Sequence, residues 1–103
     1  MKYQIVLQWA GSSITTYDVM IRVEEALIGE LRDGSDVDGH DAGVGEFNIF
    51  IRTDEPLRTF EFVKSVLKDQ NVLENVRAAY REATEGVKYN ILWPQDLKEF
   101  AIA

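Results

Sequence analysis

Glu46-Phe47-Asn48-Ile49-Phe50-Ile51-Arg52-Thr53, running on directly into Asp54-Glu55-Pro56-Leu57, is the stretch on which the fold turns. In an extended chain Phe47, Ile49 and Ile51 fall on one face and Asn48, Phe50 and Arg52 on the other. The aromatic and β-branched content suits a half-buried strand over 46–53. Asp54-Glu55-Pro56 then supplies a cap and a first-turn proline. Leu57, Phe60, Val63 and Leu67 follow at helical spacing, so residues 56–69 are expected to form a helix with those four as its inner stripe. Period two gives way to helical period within a few residues.

The same alternation opens the chain. Tyr3, Ile5, Leu7 and Trp9 face one way, Gln4, Val6 and Gln8 the other, until Ala10-Gly11-Ser12-Ser13 breaks the strand. Thr15 reads as an N-cap with Asp18 three residues on. Tyr17, Met20, Val23, Leu27 and Leu31 form the stripe of a helix over 16–32, which Gly34 closes. Residues 33–46 carry four glycines and five acids and read as a loop, with a short edge strand near Val37 to Asp41.

Towards the C-terminus, Val76, Ala78 and Tyr80 alternate with Arg77, Ala79 and Arg81, although the alanine-rich Val76–Thr84 also fits a helix. Val87, Tyr89, Ile91 and Trp93 alternate cleanly, and Thr84-Glu85-Gly86 offers a turn between the two runs, which favours a hairpin. Pro94 ends the last strand, and Asp96 caps a final turn carrying Leu97 and Phe100. The order strand, helix, short strand, strand, helix, strand, strand predicts one α+β domain over 1–103. Its expected form is a ferredoxin-like two-layer sandwich: an antiparallel sheet of four or five strands with two helices on one face. Ile5, Leu7, Leu27, Phe47, Ile49, Ile51, Phe60, Val63, Tyr89 and Ile91 are expected in the core.

Composition narrows the function classes. An apolar share of 46% in 103 residues is enough for one core and argues against disorder. With no cysteine there are no disulfides, thiolate metal sites or cysteine nucleophiles, which suits a reducing cytoplasm. No apolar run approaches the ~20 residues of a membrane span. Met1-Lys2-Tyr3-Gln4-Ile5 alternates at once, as a first strand does and a signal peptide does not. A net charge of −7 makes nucleic acid a poor partner and a basic protein a good one.

Two features carry the functional candidates. The sheet face turned from the helices would hold Gln4, Val6, Gln8, Asn48, Phe50, Arg52, Arg77, Arg81, Lys88, Asn90 and Leu92, four of them basic and none acidic. That amphipathic face, built around Val6, Phe50 and Leu92 with Arg52 as a further contact candidate, suits an interface, with a homodimer as the expected assembly. The second feature is the acidic loop around the single histidine: Asp36, Asp38, His40 and Asp41, with Glu46 beyond. His40, Asp41 and Glu46 are the candidates for metal or general-base chemistry. Their count is unfavourable. One histidine without cysteine makes a poor zinc site, and a calcium-loop alignment puts Gly34 and Gly45 where carboxylates are required. Adjacent residues in an extended segment also point oppositely. Neither a metal nor a cofactor is expected, and no nucleophile elbow, phosphate loop or dinucleotide fingerprint is present.

Asp38-Gly39-His40-Asp41-Ala42-Gly43-Val44-Gly45-Glu46-Phe47-Asn48-Ile49-Phe50-Ile51, with Thr53-Asp54-Glu55-Pro56 after it, resembles a run in small uncharacterised bacterial proteins. Their company includes acidic immunity-type proteins that neutralise toxins. Ala78-Ala79-Tyr80-Arg81 and Leu92-Trp93-Pro94 extend the likeness. It implies a bacterial, cytoplasmic protein and carries over no catalytic residue. The acidic charge, the small size and the lack of a convergent catalytic set make a non-enzymatic interaction protein the expected function, with an immunity-like inhibitor as one form of it. The alternatives are a small-molecule or metal-dependent enzyme centred on His40, and a ligand-sensing regulatory module.

Overall fold

A computed structural model describes residues 2–10, 17–31, 34–43, 45–83 and 88–102. Its elements are β1 (Tyr3–Ala10), α1 (Tyr17–Glu30), β2 (Asp36–Gly43), β3 (Glu46–Thr53), α2 (Pro56–Asp69), β4 (Arg77–Glu82) and β5 (Asn90–Trp93). The strands form one antiparallel sheet in the order β2-β3-β1-β4-β5. Within the run that also fitted a helix, Arg77–Glu82 is a strand. The expected cap at Thr15, the turn at Thr84-Glu85-Gly86 and the inward Val87 lie outside the described residues.

The alternation at 3–9 and 46–53 places the two strands as read. Ile5 lies opposite Ile51 and Tyr80, and Leu7 opposite Ile49 and Ala78. Ile5, Leu7, Ile49, Ile51 and Ala78 form one buried cluster with Trp9, with Met20, Val23 and Leu27 of α1, and with Phe60, Val63, Val66 and Leu67 of α2, and Tyr80 packs against it half-buried. Both helices therefore pack on the same side, giving an α+β sandwich. On this helix side the buried polar groups are paired. The Trp9 indole N–H donates to the Val72 carbonyl at 2.9 Å, and the Thr53 and Thr59 hydroxyls meet at 2.7 Å.

Several details depart from the sequence reading. The stripe of α2 begins at Pro56 and Thr59, both buried, which turns Leu57 outward to 64% exposure. Glu55, at the N-cap of α2, makes no side-chain cap bond; the Thr53 hydroxyl instead accepts from the Glu55 amide at 3.0 Å. Tyr17 is likewise exposed, leaving Met20, Val23 and Leu27 as the buried stripe of α1. Phe47 is half-buried, because its cross-strand neighbour on one side is Ala42 of the edge strand β2.

The largest correction is in β5. Its register with β4 slips between Ala78 and Ala79, so Trp93 lies opposite Ala78 while Ile91 lies opposite Ala79. Ala79 neighbours Val6, on the face away from the helices. Ile91 follows it there and is half-buried, as is Tyr89, whereas Leu92 and Trp93 pack against the core cluster. A slip of one residue inverts a strand's faces.

Candidate functional site: an acidic edge strand

The glycine-rich loop expected at 33–46 is mostly strand. Its glycines serve the shape of β2 rather than preventing it. Gly39, at φ +109, sits where the β2–β3 register shifts between Val37 and His40, a conformation other residues rarely adopt. Gly45, at φ +74, lies in the turn into β3. The resulting eight-residue strand stands at the sheet margin, paired among the described residues with β3 alone. Asp36, Asp38 and Asp41 are exposed along it. Among the described residues Asp38 alone of the three has an ion-pair partner, Arg52 Nε at 3.2 Å, and both side chains are more than two-fifths exposed, so the pair adds little.

His40 lies opposite Ile49 and so turns to the helix side, while Asp41 lies opposite Asn48 and turns to the other. The structure therefore does not bring His40, Asp41 and Glu46 together. Two residues the sequence did not suggest hold the imidazole instead. Glu24 of α1 lies 3.0 Å from Nδ1, and the Tyr17 hydroxyl 3.1 Å from Nε2, with the two rings edge to face at 5.8 Å. A carboxylate only accepts, so Nδ1 donates to Glu24, and Nε2 shares the second hydrogen bond with the Tyr17 hydroxyl. Tyr17 and Glu24 are seven residues apart, two turns of one helix face. That spacing was available as a signal, but nothing marked His40 as its target.

A carboxylate–imidazole–phenol chain has the parts for proton transfer. Surface pockets of about 510 and 400 Å³ lie at other parts of the molecule, around Tyr3, Tyr80 and Pro56 and around Lys68 and Trp93, with none of His40, Asp41 or Glu46 in their walls. Among the described residues no three histidine or carboxylate side chains gather as metal ligands. No described helix is long and apolar enough to cross a membrane. The chain formed by Glu24, His40 and Tyr17 fastens the edge strand to α1.

The expected outer interface is arranged differently from its sequence pattern. Phe50 is half-buried and Arg52 exposed, but Val6, Gln8, Asn48 and Ala79 are all at 0% exposure, and Leu92 belongs to the opposite side. The chain's own C-terminal segment contributes the cover. After a turn in which the Leu97 amide donates to the Pro94 carbonyl, it returns across the sheet. There the Gln8 amide donates to the Ala101 carbonyl at 2.9 Å, and Phe100 packs on Tyr89 with centroids 5.0 Å apart. Comparison with protein-family models, with curated proteins and with solved structures finds no match to this chain.

Proposed function

We propose that this chain is a non-enzymatic interaction protein that docks a basic partner along the free edge of β2, in the manner of an immunity-like inhibitor. One observation carries it: an eight-residue edge strand, pinned from behind through His40, presents Asp36, Asp38 and Asp41 in a chain of net charge −7. Unpaired backbone groups on such an edge accept an added strand, and the aspartates select one of opposite charge. They also disfavour a second copy, since two β2 edges brought together oppose like charges. The homodimer suggested by the outer face loses the contribution of Val6, which is buried within the monomer. A cytoplasmic setting accords with the absence of cysteine. A ferredoxin-like assignment is supported by the β-α-β-β-α-β order of the first six elements.

The test is capture of partners from bacterial lysate by the wild type and by a variant carrying Asp36→Lys and Asp38→Lys. A stoichiometric basic protein that binds the wild type, weakens with salt and is lost on the double variant supports the proposal. Equal capture by both proteins contradicts it.

A second reading, an enzyme centred on His40, is favoured by the chain Glu24, His40 and Tyr17. It requires turnover of a substrate by the free protein and loss of that turnover in His40→Ala.

A further inference from the structure

The sheet face away from the helices, met by the C-terminal segment at Gln8, carries a row of oxygen-bearing side chains. Asp41 of β2, Asn48 of β3 and Gln8 of β1 are successive cross-strand neighbours. Glu46 lies two residues from Asn48 on the same face and accepts from the Asn48 amide at 3.3 Å. Gln8 and Asn48 are both fully buried. Their NH₂ groups are engaged, with Ala101 and Glu46, yet the oxygens Gln8 Oε1 and Asn48 Oδ1 have no hydrogen-bond partner. Two neighbouring carboxamides would ordinarily satisfy one another. Here both direct their donors elsewhere and leave two buried acceptors unmet, beside two carboxylates.

We propose that Asp41, Glu46, Asn48 and Gln8 form a site for a hard divalent cation of the calcium class. The donor set is all oxygen, which selects hard ions over zinc or copper. Two carboxylates balance the ion's charge, while the two carboxamide oxygens need a positive centre rather than another acceptor. Cross-strand neighbours on one face stand about 5 Å apart at Cβ, and residues two apart on a strand about 7 Å. An ion bound at about 2.3–2.6 Å from each oxygen lies within reach of all four side chains. Calcium tolerates the one-sided, irregular arrangement that a sheet face imposes; magnesium requires a near-ideal octahedron. The Ala101 carbonyl is held by the same Gln8 carboxamide whose oxygen the ion would take. Binding would therefore also fasten the C-terminal segment. The site shares Asp41 with the proposed docking edge, whose test residues, Asp36 and Asp38, take no part in it. An ordered water donating to both carboxamide oxygens is the rival occupant.

The test starts from chelator-treated protein titrated with Ca²⁺ by calorimetry, with Mn²⁺ as a paramagnetic probe of position. The expected result is one ion per chain and selective broadening of the Gln8 and Asn48 side-chain amide signals by Mn²⁺. Affinity should fall at least about tenfold in Asp41→Asn, an exposed position that leaves the fold intact, and in Asn48→Leu. Asn48→Leu should keep or raise the melting temperature of the metal-free protein, because it removes a buried unmet acceptor. Failure of Ca²⁺, Mg²⁺ and Mn²⁺ to bind at millimolar concentration overturns the proposal in favour of water. Broadening centred on Asp36 and Asp38, or affinity unchanged in both variants, overturns it in favour of diffuse attraction to the acidic edge.

Discussion

The two faces of the sheet are buried by different means. On the helix side, Ile5, Leu7, Trp9, Ile49 and Ile51 meet α1 and α2 in a continuous apolar cluster whose buried polar atoms are paired. On the other side, an apolar strip of Phe50, Val6, Ala79 and Ile91 runs between polar rows, covered in part by a segment without regular structure. Two buried oxygens there lack partners, each a deficit of about 1–3 kcal/mol. The first face holds the fold together. The second is where the molecule departs from the most economical solution, as functional regions tend to do.

Truncations sharpen the contrast. Leu7→Ala, on the helix face, should lower stability by about 2–5 kcal/mol, read as a fall in the urea midpoint at unchanged slope. Val6→Ala, one residue along and equally buried, should cost only about 1–2 kcal/mol, because the covering segment can settle into the space left. Equal losses would mean that the outer cover is packed as tightly as the helices. Next in size is His40→Ala, which removes the link between β2 and α1. It should cost about 0.5–1.5 kcal/mol and raise amide exchange in β2 more than in β1. Uniform loss of protection would place His40 in the global core instead. The smallest effect is expected from Arg52→Ala, whose exposed pair with Asp38 should contribute at most about 1 kcal/mol, abolished by salt.

The same contrast explains what was legible in the sequence. Period-two alternation at 3–9 and 46–53 identified the inner strands and their facing, because one side of each must meet the helices. α2 was located to the residue by Pro56. β5 was misread because a register slip leaves no mark in a short alternating run: Tyr89 and Ile91 look inward by count and are not. β2 was underestimated because its glycines suggested a loop, when Gly39 serves a bulge within a strand. The acidic surface itself could be read from the sequence. The pairing of His40 with Glu24 and Tyr17 could not, since it joins residues 16 and 23 positions apart in the chain. Nor could the cover over Gln8, which comes from 93 residues away.

Amide hydrogen exchange across β2, in the presence and absence of the captured basic partner, tests the docking account most directly. Strand addition predicts strong new protection at alternate amides between Asp36 and Gly43, those directed away from β3, with little change in β1 or β4. Protection confined to another part of the surface, with β2 exchanging as in the free protein, would contradict it.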